Sequence, residues 1–334
     1  MSFGNNNNQT VWFNYTKDAL ETMRNGFRLY FATGISACST NAILVVLIAL
    51  RSNLRKTYLL QLALAVGDFG FGLANILSVM FRYQIKQGHQ PGITVGNCVR
   101  RLFTWLFSCS PILQGIVTLL MSLQRYVAIK WPAWYKKSWN FGFTVKAVTV
   151  SFAISGFYSV CMGLLAIGRF EDVIDPICLT GTTWGIYYAE LHYSSIATYA
   201  IVSVLLNVIT VWEFFKFKKS ATNDSSFNYK QELQRFASVF AVSFSTAATV
   251  AAPTSIIVLY LAYPGLFKSF FNLVAPLVNL WGVNSSINFV IYIICLKDFR
   301  SELLGLLGKK SVSTVHSVNQ QRSGRRTEVE INGI

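Results

Sequence analysis

Residues Leu102–Ile129 read LFTWLFSCSPILQGIVTLLMSLQRYVAI, an apolar run whose one charged residue, Arg125, lies near its end. A helix rises 1.5 Å per residue, so about 20 apolar residues cover the roughly 30 Å of hydrocarbon in a bilayer. A soluble helix of this length would carry charges along its solvent face. We therefore predict that this run crosses a membrane as a helix.

Six other windows are comparably long and apolar, and the 334-residue chain is 53% hydrophobic and only 13% charged. This composition is too apolar for an ordinary soluble domain. No shorter apolar stretch with a basic start precedes the first window, so we expect no signal peptide. The seven predicted spans are Leu29–Leu50, Tyr58–Phe81, Leu102–Ile129, Phe143–Ile167, Ile186–Phe215, Leu233–Ala262 and Phe270–Cys295.

The basic residues predict the orientation of the chain. Most of the 29 Lys and Arg residues follow span one, flank the link between spans three and four, or lie between spans five and six and after span seven. Seven crossings put these segments on one side, and positive charge is enriched on the cytoplasmic side. The N-terminus is therefore predicted outside, and the net charge of +15 is interpreted as a basic inner surface facing anionic membrane lipid rather than a nucleic-acid site.

Sequence composition divides the chain into four parts. Residues 1–28 are predicted as an extracellular segment, 29–296 as the bundle, 297–307 as an amphipathic helix on the inner membrane surface and 308–334 as a disordered cytoplasmic tail. Two Asn-x-Thr tripeptides, beginning at Asn8 and Asn14, are predicted glycosylation sites because they fall in the outer segment.

Two of the six cysteines, Cys98 and Cys178, fall outside the predicted spans, and both lie on the extracellular side. That compartment is oxidising, which favours disulfide formation. We predict a disulfide that ties the link between spans four and five to the outer end of span three.

Three motifs carry a resemblance to a known family. Span two contains Leu64-Ala65-Val66-Gly67-Asp68, span three ends in Gln124-Arg125-Tyr126, and span seven contains Asn284-Ser285-Ser286-Ile287-Asn288-Phe289-Val290-Ile291-Tyr292. These resemble the Leu-Ala-x-x-Asp, Asp-Arg-Tyr and Asn-Ser-x-x-Asn-Pro-x-x-Tyr motifs of rhodopsin-like (class A) G-protein-coupled receptors. The resemblance covers about residues 32–307 and implies an all-α seven-helix bundle in the plasma membrane that binds an extracellular ligand and activates a heterotrimeric G protein.

The resemblance also implies roles for particular side chains. The residues implied in the switch and in G-protein coupling are Gln124, Arg125, Tyr126, Asn288 and Tyr292. A buried polar network that holds a sodium ion or waters is implied for Asn41, Asp68, Gln114, Asn284, Ser285 and Asn288. No other cofactor and no other metal is expected, and arrestin and a receptor kinase are implied partners of the tail.

The chain departs from the family pattern at several positions. Gln124 replaces the acidic neighbour of the switch arginine, Phe289 replaces proline, and Val250-Ala251-Ala252-Pro253 stands where Cys-Trp-x-Pro is usual. These changes put the resting lock of Arg125 in question. The divergence resembles invertebrate, nematode-type chemosensory or peptide receptors.

The ligand pocket is expected between the outer halves of spans three, five, six and seven. Phe107 occupies the position where amine receptors carry Asp, and the seventh span has no Lys for a retinal Schiff base, so monoamine and retinal ligands are disfavoured. The ligand is expected to be a small chemosensory molecule or a peptide. The residues predicted around it are Phe103, Phe107, Thr254, Ser255, Val258, Val278 and Trp281.

Three other functions are alternatives to a receptor for this sequence. A seven-span ligand-gated channel or transporter would usually show paired charges along a route or repeated halves, and the sequence has one carboxylate deep in a span and no repeat. The altered motifs leave open a receptor-like protein that does not signal. An enzyme is the least favoured, because the three His residues are scattered and no nucleophile or metal motif occurs.

Overall fold

The computed structural model describes residues 11–220, 241–263 and 271–306, and these ranges contain seven helices long and apolar enough to cross a membrane. The predicted bundle is confirmed. The seven helices are α1 (Lys17–Leu50), α3 (Leu59–Arg82), α5 (Leu102–Lys130), α7 (Phe141–Ile167), α9 (Ile186–Ser220), α10 (described over 241–262) and α11 (Phe271–Cys295).

Shorter elements connect the long helices. The short helices are α2 (Ser52–Thr57), α4 (Val95–Val99), α6 (Pro132–Ser138), α8 (Thr180–Trp184) and α12 (Lys297–Leu306), and the strands are β1 (Trp12–Tyr15), β2 (Gly88–Pro91), β3 (Ile93–Thr94) and β4 (Val173–Ile174). Side chains close two of the helix starts. The hydroxyl of Thr94 accepts from the backbone N–H of Asn97, and the amide oxygen of Asn140 accepts from that of Phe143.

The first helix begins at Lys17 and not at Leu29, so the predicted extracellular segment 1–28 is partly helical. The early turns carry the charged residues that excluded them from the apolar window. They nevertheless bury Leu20 and Phe27, which are 5% and 6% exposed, against the outer loops. Apolar burial on one face therefore stabilises this extension, as expected for an amphipathic helix.

Three loop segments form an outer layer over the bundle. Strand β1 pairs antiparallel with β2, and β3 pairs antiparallel with β4 in the link between α7 and α9. Below the strands, Tyr15, Leu20, Ile85 and Ile177 form an apolar cluster that joins the N-terminal strand to both extracellular links. The outer loops are thus packed as one small layer.

Helices α1 and α3 approach closely at Gly34 and Gly72. A Cβ atom on Gly72 would lie 2.9 Å from the carbonyl oxygen of Gly34 and 3.0 Å from the backbone nitrogen of Cys38. Small residues allow such backbone contact between membrane helices, where van der Waals packing replaces the hydrophobic effect as the main attraction. This contact fixes the spacing of the first two spans.

Helix α10 is not a uniform α-helix. Residues Ala247–Ala251 form one π-helical turn immediately before the turn that contains Pro253. Proline has no backbone N–H to donate to the preceding turn, so the ladder of hydrogen bonds is already interrupted at this depth. Single π turns of this kind occur frequently at functional sites in helices.

The surface helix α12 packs under the inner end of the bundle. The ring of Phe299 lies 4.7 Å from that of Tyr58 and 5.9 Å from that of Tyr292, measured between centroids. Arg51 and Glu302 form an ion pair at 3.0 Å. The helix after span seven is confirmed, while the predicted tail 308–334, the beginning of span six at 233–240 and Asn8 lie outside the described residues.

Candidate functional site

An aromatic cluster fills the outer half of the bundle between α3, α5, α9 and α11. The ring of Trp281 lies 5.8 Å from that of Phe71 and 6.0 Å from that of Tyr193, and Phe71 lies 5.8 Å from Phe107. Phe103 continues the cluster at 6.4 Å from Phe107. Such rings offer a large apolar surface with edge and face contacts suited to a small apolar group.

The predicted pocket residues divide into two groups. Phe107, Val278 and Trp281 lie in one core cluster, which Phe103 adjoins. Thr254 is fully buried, and its hydroxyl donates to the carbonyl of Val250, while that of Ser255 donates to Ala251. Both hydroxyls are thus used within α10. Val258 is half-buried on the same helix and lies outside that cluster.

The disulfide predicted between Cys98 and Cys178 is present, with a Cα–Cα distance of 5.6 Å. It closes 80 residues of sequence and holds the link between α7 and α9 against the outer end of α5. In the chain-entropy account a loop of this length contributes roughly 4 kcal/mol. The other four cysteines, Cys38, Cys109, Cys161 and Cys295, are free.

Two polar side chains, from β1 and from the outer end of α3, bind the link between α7 and α9. The phenol of Tyr15 donates to Asp175. Burial, and to a smaller extent the charge of this carboxylate, raises the pKa of Tyr15 well above its usual value, so the phenol stays a neutral donor. Arg82 donates from Nε to the carbonyl of Ile177 at 2.9 Å and from Nη2 to that of Cys178 at 3.4 Å. Sequence reasoning assigned no role to Arg82, because it stands at the end of an apolar run.

A second polar cluster between α5, α7 and α9 was also missed. The hydroxyls of Ser108 and Tyr188 lie 2.9 Å apart, and Nδ1 of His192 lies 3.3 Å from Tyr188 and 3.4 Å from Tyr158. His192 is 2% exposed and borders Tyr193 of the aromatic cluster. Tyr188 and His192 are one helical turn apart, but Ser108 lies 80 residues from Tyr188 and Tyr158 lies 34 from His192, so no local pattern points to the meeting of the three helices.

Asp68 lies at the centre of a polar contact between α3 and α11. Its two carboxylate oxygens accept from the hydroxyl of Ser285 at 2.8 Å and from Nδ2 of Asn288 at 3.4 Å. Asn41 joins from α1 through a hydrogen bond to the backbone carbonyl of Ser285 at 3.2 Å. The side-chain oxygens of Asn41 and Asn288 are buried and have no partner among the described residues.

Two of the residues expected in this network, Asn284 and Gln114, have no hydrogen bond to Asp68 or to its partners among the described residues. The side-chain oxygen of Asn284 accepts from Ser245 and Thr249 of α10, each at 3.0 Å, so Asn284 links α11 to α10 instead. Gln114 is nearby, since a Cβ on Gly67 would lie 3.1 Å from its Cγ, but its amide nitrogen has no partner within the described ranges. The direction in which a side chain leaves its helix separates these two residues from the network.

Arg125 lines a cleft at the inner end of the bundle. The cleft is narrow, and its walls come from the inner halves of α5, α9 and α10. In the described part of the chain the guanidinium has no hydrogen-bond or ion-pair partner. The other lining residues are Thr118, Met121, Ser122, Ser203, Val204, Asn207, Val242, Ser243 and Thr246.

The neighbours of Arg125 are engaged elsewhere. Gln124 donates to the phenol of Tyr135 on α6 at 3.1 Å, and the ring of Tyr126 lies 5.8 Å from that of Trp131. Two acidic residues near the inner ends of spans five and six, Glu213 and Glu232, are candidates to hold Arg125 in place of the missing aspartate. Glu213 instead pairs with Lys130 at 2.9 Å, because both side chains reach the water at the inner surface, and Glu232 lies outside the described residues.

Tyr292, another of the predicted switch residues, lies close enough to Arg125 and Asp68 to interact with both electrostatically. Tyr292 is 1% exposed and stacks on Phe299, and its hydroxyl has no partner among the described residues. Asn14 is exposed in β1, opposite His89, where a glycan would face solvent. Its glycosylation stays a prediction.

Two comparisons with known proteins agree with this arrangement. A family model described as 7 transmembrane receptor (rhodopsin family) matches residues 40–292, which run from α1 into the inner half of α11. The chain is also similar to the olfactory receptor-like protein I9 of Rattus norvegicus, at 24% identity over 180 residues covering 52% of this chain and 56% of that protein. The chain thus spans about half the length of the curated relative that it matches.

Proposed function

The chain belongs to the rhodopsin family of seven-transmembrane receptors, a multi-pass plasma-membrane family, and from this premise we propose that it binds an extracellular ligand and activates a heterotrimeric G protein. The observation that carries the proposal is the inner cleft around Arg125. A guanidinium has five N–H donors and no acceptor, so Arg125, which has no hydrogen-bond or ion-pair partner within the described ranges, is suited to bind backbone carbonyls of a docking protein.

The experiment that tests this proposal uses the purified full-length receptor in lipid nanodiscs. Nucleotide exchange on purified heterotrimeric G proteins of different subtypes is measured with and without a panel of odorant-like molecules. Exchange above that of empty nanodiscs, with at least one subtype, supports the proposal. No exchange with any subtype, combined with a ligand-gated current in intact cells, would favour the channel hypothesis instead.

We propose a small chemosensory molecule, rather than a peptide, as the ligand. The rings around Phe71, Phe107 and Trp281 pack against one another and form a largely apolar cluster. The outer layer that contains β1, β2, β3 and β4 lies over the bundle, which favours a small ligand over a long one. The similarity to a protein named as an olfactory receptor-like protein supports the same choice.

We also propose that the site around Asp68 holds a sodium ion or waters. Hard cations prefer oxygen ligands, and the site offers the carboxylate of Asp68, the hydroxyl of Ser285 and the unpartnered side-chain oxygens of Asn41 and Asn288. The residues therefore fit a small monovalent cation. A bound ion would supply positive charge that offsets the cost of burying the carboxylate.

Asp68→Asn is expected to remove a stabilising effect of sodium. Sodium that binds the folded receptor raises the unfolding midpoint, and a gain of about 1 kcal/mol corresponds to roughly 2–4 °C. The measurement is thermal unfolding of purified receptor in NaCl and in an equal concentration of KCl. Ser285→Ala should reduce the difference, whereas Ser286→Ala should keep it because Ser286 donates to Ser36 at 2.9 Å. Equal midpoints in both salts for the wild type would contradict a sodium site.

Gln124→Asp is expected to lower basal G-protein activation. An aspartate beside Arg125 would supply a charged acceptor, which the guanidinium lacks among the residues that the structure describes, and charged hydrogen bonds are stronger than neutral ones by about 1 kcal/mol. The resting state would gain roughly fivefold in population relative to the active state. Ligand-free nucleotide exchange at equal receptor concentration measures this change. Tyr135→Phe, which removes only the partner of Gln124, controls for loss of that contact, and unchanged basal exchange in Gln124→Asp would show that no lock forms there.

A further inference from the structure

Arg82, the last residue of α3, is buried although it carries a full charge. It is 6% exposed, and together with Asp68 it accounts for the buried Asp, Glu, Lys and Arg residues in the part of the chain whose side chains are described. Burial of a cation is unfavourable unless an anion or several hydrogen bonds compensate for the lost water. The surroundings of Arg82 should therefore contain that compensation.

The compensation within the described residues is incomplete. Two N–H groups of the guanidinium donate to the carbonyls of Ile177 and Cys178. The rings of Phe27 and Phe103 lie 5.9 and 6.0 Å from the guanidinium carbon. These partners are neutral, and the other three N–H groups, two of them on Nη1, have no acceptor in the described part of the chain.

Asp175 is near enough to interact electrostatically with Arg82, but it does not contact the guanidinium. Asp175, in the same link, accepts from Tyr15 and from the backbone N–H of Ile177, and no ion pair between it and Arg82 forms. Residues 1–10 and 264–276, whose side chains are not described, contain no Asp or Glu. Asp175 thus offsets the charge of Arg82 only at a distance, and the edge of the guanidinium at Nη1 is left available to an anion from outside the protein.

The position of Arg82 places that anion beside the aromatic cluster. Phe103 faces the guanidinium on one side and adjoins Phe107 on the other, and Phe107 leads to Phe71 and Trp281. Tyr193, which neighbours Trp281, is close enough to interact electrostatically with Arg82. A ligand with an anionic group at Arg82 would thus extend its apolar part into the cluster.

We propose that Arg82 binds the carboxylate of a small organic acid whose apolar body lies in the aromatic cluster. The proposal rests on the ligand site proposed above and names its ligand class. A carboxylate is planar and accepts two parallel N–H bonds, which matches the free edge of the guanidinium at Nη1. It also carries one charge, which balances the one charge of Arg82.

Binding is tested on purified full-length receptor without G protein, so that the result does not depend on signalling. The probes are octanoic acid, benzoic acid and 3-phenylpropanoic acid, each paired with its methyl ester, which keeps the body and removes the charge. Wild-type receptor is expected to bind at least one acid about 30-fold more tightly than its ester. Arg82→Gln should abolish this preference, and Arg82→Lys should restore part of it.

Two comparisons separate anion binding from support of the loop. In Arg82→Gln, the side-chain amide can still donate to the carbonyl of Ile177. If Arg82 only supports the loop, this variant should be less stable to heat but should still prefer the acid over its ester. Arg101→Gln removes an equal charge from an exposed residue that lies over Phe81, 4.7 Å from its ring centroid, and should leave the preference unchanged. The proposal is overturned if no acid is preferred over its ester, or if Arg82→Gln keeps the preference. If the receptor prefers the acid but never stimulates nucleotide exchange, the proposed G-protein activation is contradicted while the proposed acid-binding site is retained.

Discussion

Arg125→Ala is expected to abolish nucleotide exchange on the G protein, both basal and ligand-stimulated. The guanidinium lines the inner cleft and has no ion-pair or hydrogen-bond partner in the described residues, so its donors are available to a docking protein. Truncating a charged group at the centre of an interface typically costs 2–5 kcal/mol, which corresponds to about 30-fold or more. Exchange measured in nanodiscs at fixed receptor concentration should fall by at least that factor.

The same availability predicts that Arg125→Ala folds normally, because no described internal contact is lost. Surface abundance should match the wild type within experimental error. Lys130→Ala provides the control, since Lys130 lies at the same end of α5 but forms an exposed ion pair with Glu213, and such pairs contribute little. Wild-type exchange in Arg125→Ala, or an equal loss in both variants, would contradict a specific role for Arg125.

Gly72→Leu is expected to prevent the receptor from reaching the cell surface. The added Cβ would lie 2.9 Å from the carbonyl oxygen of Gly34 and 3.0 Å from the backbone nitrogen of Cys38. Both obstacles are backbone atoms of α1, so they cannot move aside as the end of a flexible side chain would. Overpacking costs about 1–3 kcal/mol or more, and the total stability of a protein is only about 5–15 kcal/mol.

Gly156→Leu is the matched control for this substitution. Gly156 is also in a membrane-spanning helix, α7, but a Cβ there has no atom within 4 Å. Surface staining of intact cells, compared with total receptor after permeabilisation, should show loss for Gly72→Leu and wild-type levels for Gly156→Leu. Surface levels of Gly72→Leu equal to those of the control would mean that α1 and α3 do not need this approach.

The bundle could be predicted because lipid imposes a length and a composition on each span. Span three was predicted at Leu102–Ile129 and is found at Leu102–Lys130, since one Lys and one Trp-Pro pair end the apolar run there. The first span was predicted to begin at Leu29, whereas helix α1 begins at Lys17. Its first turns mix charged residues with Leu20 and Phe27, and so few apolar residues give no clear helical period. Strands β1 to β4 have two to four residues each, and their stability comes from partners distant in sequence.

The polar site around Asp68 could be predicted because its residues belong to sequence motifs with a fixed residue type at a fixed spacing. Asp68, Ser285 and Asn288 lie together as the motifs implied, although their proposed role awaits the sodium experiment. Asn284 shares α11 with Ser285 and Asn288 but bonds to α10, and Gln114 lies on α5 without a bond to Asp68; a motif cannot specify the direction in which each side chain leaves its helix. Arg82 was missed because a charge at the end of a span usually serves as an anchor at the membrane surface, and only the fold of the outer link encloses it.

The π turn at Ala247–Ala251 rotates the outer part of α10 about the helix axis relative to its inner part. One extra residue in a turn offsets everything beyond it by about 100° around the helix axis, since an α-helix has 3.6 residues per turn. Val242 and Thr246, before the turn, face the inner cleft, whereas Thr254 and Ile257, beyond it, face the packed outer half. Conversion of this single turn to α-helical geometry would swing one end of α10 against the other while both ends kept their own internal hydrogen bonds.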